Sequence, residues 1–159
     1  MKFESILGTI WLDATPHALS QISYTPIVET PLANQEILAL AQTQLLEFLA
    51  GKRKTFDVPY IFEKGTDFQK EVWHALTEIN FGQTCSYQTI AEKIQRPKAV
   101  RAIGQANRNN PLPIIVPCHR VIGKNGKLVG YSGSSEAGLK IKAQLLTLEN
   151  PLLQTSALF

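Results

Sequence analysis

Cysteine is scarce in this chain: its 159 residues include two, Cys85 and Cys118. Two thiols cannot build a disulfide framework or a four-cysteine zinc site. Free thiols and a cytoplasmic protein are therefore expected. Of the three histidines, His17 and His74 have no ligand spacing to another His or Cys. No apolar run approaches the ~18 residues of a membrane span. Met1–Ile6 holds no apolar block ending in a small-residue cleavage site, which argues against a signal peptide. Negative charge is missing locally: between Lys93 and Lys127 there is no Asp or Glu, whereas eight residues are Lys or Arg.

The composition is 44% hydrophobic and 18% charged, that of a globular chain large enough to bury a core. The net charge of +3 is unevenly spread. Residues 1–63 carry four basic and seven acidic side chains, and residues 64–159 carry twelve and six. A one-signed field of this kind suits a polyanion such as nucleic acid; the alternative is a solvated basic face.

The elements predict an α+β fold in two parts, 1–63 and 64–159. In the first, residues 2–12 and 19–28 read as strands. Asn34 caps a helix to about Ala50, and Gly51 stops it. Residues 52–64 read as the connection. In the second part, Thr66 and Gln69 have capping-box spacing before a helix that ends near Phe81. Ser86 caps a helix from Tyr87 to about Gln95. Pro97 is expected as the first residue of a third helix running to about Arg108. The last two helices suggest a helix-turn-helix. On the third, Ala99, Val100, Ala102, Ile103 and Ala106 share the face expected to pack. Arg101, Gly104, Gln105 and Arg108 share the other, where the glycine would permit close approach to a surface. Pro111, Pro113 and Pro117 are expected to hold an extended, buried approach to Cys118. A hairpin wing over Val121–Tyr131, turning at Asn125-Gly126, and a helix over Ala137–Leu148 complete the reading.

Chemistry concentrates at Cys118. A cysteine attacks as thiolate, and its ordinary pKa of ~8.5 leaves little thiolate at neutral pH. His119 and Arg120 adjoin it. A water could bridge thiol and imidazole, with Glu149 a candidate to fix the imidazole. A buried inert cysteine is the competing reading. Cys85, without a neighbouring base, reads as structural.

Pro117-Cys118-His119-Arg120-Val121, preceded by Asn110-Pro111-Leu112-Pro113, resembles the active-site signature of the O6-alkylguanine-DNA alkyltransferases, the methylated-DNA–protein-cysteine methyltransferases. The resemblance extends through Phe68–Trp73, Ser86-Tyr87-Gln88, Lys98–Gly104 and Gly130–Gly133, and covers about residues 64–150. It implies a stand-alone repair enzyme that acts once. An alkyl group, typically methyl, moves from O6-alkylguanine, and from O4-alkylthymine, in duplex DNA to the protein's own cysteine. It also implies a small ribonuclease-H-like N-terminal subdomain and a helical, winged-helix-like C-terminal domain that binds the minor groove. By the same resemblance Cys118 is the acceptor, His119 the water-mediated base, Glu149 its orienting partner and Asn110 a brace. Tyr87, Pro113, Val121, Tyr131 and Ser132 line the base pocket. Arg101 is the finger that replaces the flipped base, with Lys98, Gly104, Gln105 and Arg108 on the DNA face. Neither metal nor organic cofactor is required, no membrane is involved, and a monomer is expected. Residues 134–138 lengthen the chain before the last helix relative to the family pattern, so the place of Glu149 depends on the register there. A non-catalytic lesion binder, a regulator using only its helix-turn-helix, and a cysteine hydrolase are the alternatives.

Overall fold

The computed structural model describes residues 1–123 and 136–152. The chain divides into two compact units, Met1–Lys64 and Gly65–Phe159. In the first, β1 (Lys2–Ser5), β2 (Gly8–Ala14) and β3 (Leu19–Ser23) form an antiparallel meander in that order. The stretch expected as one strand over 2–12 is thus a hairpin. Its reversal at Ile6-Leu7 is disguised by apolar side chains, and Gly8 supplies the positive φ of +97° that the turn needs. The second expected strand stops at Ser23 rather than residue 28. There the Ser23 hydroxyl donates to the Thr25 carbonyl (2.7 Å), and Pro26 follows without an N–H for the ladder. Helix α1 (Gln35–Leu49) is capped by Asn34, whose side chain accepts from the Glu36 and Ile37 amides. Its Leu38, Ala41, Leu45 and Phe48 are buried, as are Phe3, Ile10, Leu12 and Ile22 of the sheet. Residues 59–61 lie beside β3, joined by a parallel bridge between Leu19 and Tyr60.

The second unit contains α2 (Asp67–Leu76), β4 (Cys85–Ser86), α3 (Tyr87–Lys93), α4 (Val100–Arg108), a single 3₁₀ turn (Cys118–Arg120), β5 (Val121–Ile122) and α5 (Glu136–Glu149). Both bonds of the Thr66/Gln69 capping box form. Helix α2 ends at Leu76, earlier than expected, because the next amides bond three residues back instead of four (Glu78 to Ala75, Ile79 to Leu76). The Trp73 indole N–H donates to the Ala106 carbonyl at 2.7 Å and ties α2 to α4. Gly65 makes room for that ring: a Cβ there would lie 2.6 Å from it.

Two expectations for α4 need correcting. Pro97 is not its first residue; residues 96–99 make a separate turn, closed by the Ala99 amide on the Arg96 carbonyl, and the helix starts at Val100. The buried face is Ile103, Ala106 and Asn107, whereas Ala102 is exposed. Asn107, placed on neither face in the sequence reading, is buried, and its amide nitrogen finds a partner in the interior. Strand β5 pairs in parallel with β4, Cys85 opposite Val121 and Ser86 opposite Ile122. The rest of the expected wing, with Tyr131 and Ser132, lies outside the described residues. Among those described, no helix is long and apolar enough to cross a membrane.

Candidate active site and nucleic-acid face

The approach to Cys118 is folded rather than extended. The Val116 amide bonds the Leu112 carbonyl at 2.9 Å, and the Cys118 amide bonds the Val116 carbonyl at 2.7 Å around Pro117. Ile114 sits at φ +76°, a region a β-branched residue adopts at a cost of about 1–3 kcal/mol. Burial of its side chain and the Asn110 carboxamide hold it there. The amide nitrogen of Asn110 donates to the Val116 carbonyl (2.8 Å), its oxygen accepts from the Leu112 amide (2.9 Å), and the side chain lies close enough to the Cys118 thiol to favour its ionised form. Pro113 is buried within the same loop. The prolines restrict the chain locally, but Asn110 sets its path.

The 3₁₀ turn then places Cys118, His119 and Arg120 in the interior, exposed by 2%, 0% and 7%. Burial pushes the Cys118 thiol up to about 11, against the opposing hydrogen bond from Asn110 and the positive charge of Lys142. Glu149, at the end of α5, meets His119: Nε2 lies 2.5 Å from its Oε2. The Arg120 guanidinium grips the same carboxylate through Nε (2.8 Å) and Nη2 (3.0 Å), and the Gly82 amide donates to Oε1 (3.0 Å). Burial alone would raise the Glu149 carboxyl, but these hydrogen bonds, first those from His119 and Arg120, bring it down to about 2. Burial lowers the pKa of His119, with the Glu149 hydrogen bond opposing. An ionised carboxylate can only accept, so Nε2 carries the imidazole proton. Nδ1 is therefore a bare acceptor, buried and without a hydrogen-bond partner among the described residues.

Three further residues belong to this cluster. Arg120, noticed in the sequence only as a neighbour of the cysteine, also donates to the Ile79 carbonyl at 2.6 Å and lies over the Phe81 ring. Lys142 of α5 is fully buried. Its Nζ donates to the Val121 carbonyl at 2.6 Å and stands 5.8 Å from the centre of the Tyr87 ring. Burial brings its ammonium down to about 8, and the charge of the Cys118 thiolate opposes that fall. Asn107 donates from Nδ2 to the Cys118 carbonyl at 3.2 Å. A lysine two positions after Lys140, or an asparagine beside Arg108, carries no local signal of burial; only the partners' positions in space reveal it. Cys85 is half-buried on β4, and burial raises its thiol pKa.

Next to this cluster a groove of about 420 Å³ is lined by Tyr87, Val100, Arg101, Gly104, Gln105 and Arg108. Burial, and after it the thiolate charge of Cys118, pushes the Tyr87 phenol up to about 12. Arg101, Gln105 and Arg108 are exposed. Apart from its chain neighbours and the helix's own backbone, no atom of the described residues lies within 4 Å of where a Cβ on Gly104 would stand, so packing among them does not demand glycine there. Lys98 is exposed on the turn before α4 and does not line the groove. The structure thus brings together Cys118, His119, Glu149 and Asn110, with Val121 attached through Lys142, and sets Tyr87 between them and the basic face of α4.

Residues 67–151 match the family described as 6-O-methylguanine DNA methyltransferase, DNA binding domain. The chain is 46% identical over 153 residues to a methylated-DNA–protein-cysteine methyltransferase of Methanosarcina acetivorans, covering 92% of this chain and 95% of that one. It is 56% identical over 112 residues to the constitutive enzyme of that name from Bacillus subtilis, covering 70% of this chain and 66% of the relative. The crystal structure of Mycobacterium tuberculosis OGT in complex with DNA superposes with a TM-score of 0.81 at 37% identity, over 99% of this chain and 97% of that one.

Proposed function

This chain belongs to the methylated-DNA–protein-cysteine methyltransferase family, and on that premise we propose that it repairs duplex DNA by moving an alkyl group from O6-alkylguanine, or O4-alkylthymine, to Cys118 once per molecule. The observation that carries this reading is the state of His119. One ring nitrogen is fixed by an ionised Glu149, and the other is a buried, unpartnered acceptor beside the thiol in sequence. A water between Nδ1 and Sγ completes a path for the thiol proton. The thiolate then attacks the alkyl carbon, an S–C bond forms as the C–O bond breaks, and the departing base oxygen is stabilised by hydrogen-bond donors. We assign this role to hydrogen-bond donors near Tyr131 and Ser132, which the family resemblance puts on the pocket lining.

A stacked guanine O6 cannot be reached, so the base must leave the duplex. Arg101 fills the gap and Tyr87 meets the extruded base, with the Val121 backbone and Pro113 on the pocket wall. Gln105, Arg108 and Lys98 face the minor groove, which Gly104 allows α4 to approach closely. We assign residues 1–63 to a ribonuclease-H-like subdomain, supported by the antiparallel meander followed by a helix. Residues 64–159 form a winged-helix-like DNA-binding and active-site domain, supported by the α3–α4 pair. The protein acts as a cytoplasmic monomer without a cofactor.

The test is incubation with a duplex carrying one O6-methylguanine, followed by protein mass and peptide mapping. One methyl on Cys118, none from unmodified duplex, none in Cys118→Ser and retained uptake in Cys85→Ser are expected. Lesion-selective binding with no mass gain would leave a non-catalytic lesion binder.

A further inference from the structure

Helix α4 has two sides with different work. Outward it carries Arg101, Gln105 and Arg108; inward, among Ile103 and Ala106, it carries Asn107, which is 1% exposed. The Asn107 carboxamide donates to the backbone carbonyl of Cys118 at 3.2 Å and lies close enough to the Tyr87 phenol to oppose the rise of its pKa. Its Oδ1 is buried with no partner among the described residues. Packing alone does not select such a side chain, since an apolar residue of the same size would avoid desolvating an orphaned oxygen. Its bond to Cys118 instead ties α4 to the 3₁₀ turn that carries the thiol, at a point beside the first residue of α3.

We propose that Asn107 is a positioning residue for alkyl transfer, fastening the backbone of the acceptor cysteine to the helix that engages DNA, beside the base-contacting tyrosine. This rests on the alkyl-transfer reading above. Displacement at the alkyl carbon needs sulfur, carbon and the departing oxygen nearly in line, and small misplacements of reacting atoms cost rate steeply. The tilt of the Cys118 carbonyl sets the direction of its Cα–Cβ bond, and the Tyr87 ring sets one side of the base. Asn107 fixes the first and borders the second. The Asn110 side chain braces the loop that carries the thiol through Val116 and Leu112 and, among the described residues, has no bond to a side chain of α4 or α3, so the two asparagine side chains do different work.

The experiment measures single-turnover methyl uptake at saturating protein by wild type, Asn107→Leu, Tyr87→Phe and the double variant. The substrates are a duplex containing one O6-methylguanine and the free O6-methylguanine base; duplex affinity and unfolding midpoints are measured alongside. Asn107→Leu should slow transfer from both substrates by about tenfold, the scale of a lost hydrogen bond, with duplex affinity unchanged. The double variant should lose less than the product of the single losses, because both disturb the same Asn107–Tyr87 contact. If Asn107→Leu does not fold, Asn107→Ser, too short for the bond to Cys118, carries the same comparison. A lower unfolding midpoint with an unchanged rate per folded molecule, or losses that simply multiply, overturns the proposal while leaving alkyl transfer standing. Wild-type protein that takes up no methyl group overturns the alkyl-transfer reading itself.

Discussion

Replacing Glu149 by Gln keeps the shape of the side chain and removes its charge. The carboxyl titrates at about 2 against an ordinary 4.5. At ~1.4 kcal/mol per pKa unit this is about 3 kcal/mol of preference for the ionised form in the fold. Because the folded value is the lower one, that stabilisation is complete above the unfolded pKa near 4.5 and is lost as pH falls towards about 2. In Glu149→Gln this acid dependence should flatten, and stability at pH 7 should drop by about 3 kcal/mol or more, since Arg120 is left as a buried cation without its carboxylate. The catalytic effect follows from His119. Without the carboxylate its imidazolium is less stable, so it takes the thiol proton less readily. Exchanging a charge-assisted hydrogen bond for a neutral one should slow transfer by roughly tenfold to a hundredfold, and the rate should rise only at higher pH. The assay is single-turnover uptake from a methylated duplex between pH 5.5 and 9.5, with duplex affinity measured in parallel and expected to hold. A rate within about twofold of wild type and an unmoved pH profile would refute the role of Glu149.

Arg101→Ala should reduce transfer from duplex far more than from free modified guanine, because only the duplex requires an extruded base to be replaced; equal losses on both substrates would reduce Arg101 to a phosphate contact. Lys142, whose ammonium favours the Cys118 thiolate and titrates near 8, should produce a break in the rise of rate with pH near that value. In Lys142→Met the break should disappear, while the Cys118 thiol, followed by thiolate absorbance in a Cys85→Ser background, titrates higher. Since the folded pKa of Lys142 lies below its ordinary 10.5, its burial disfavours the fold below about pH 8 and ceases to do so as pH rises from 8 to 10.5. Stability of the wild type relative to Lys142→Met should therefore increase across that window in denaturant titrations. Gly65→Ala places a Cβ 2.6 Å from the Trp73 ring at a φ of +118°. It should destabilise the fold by about 1–3 kcal/mol, read as a lower unfolding midpoint with altered Trp fluorescence.

The sequence was most legible where structure is decided by near neighbours. Asn34, Thr66 with Gln69, and Ser86 each cap a helix through amides two or three residues away, and all three helices start there. The hairpin at Ile6-Leu7 was hidden because its turn residues are apolar, and Gly8 alone marks it. Pro97 fits the start of a helix as well as the turn it occupies; tertiary packing, not propensity, decides between them. Cys118 and His119 stand out by adjacency and by family resemblance. Glu149 lies 30 residues beyond His119, and only the resemblance pointed to it. Asn107 and Lys142 gave no warning, since a polar residue at helical spacing reads as solvated until its partner, 11 or 21 residues away, is known.

The carboxylate that orients His119 sits at the last residue of α5, and the groups it binds, Gly82, His119 and Arg120, are all made earlier in synthesis. A ribosome that has delivered residue 123 has produced the thiol and the imidazole but nothing to hold the ring. On the proposed mechanism His119 is therefore oriented as a base only when α5 docks. For a molecule that can react a single time, this order of assembly ties competence for chemistry to completion of the domain, so an unfinished chain does not consume itself.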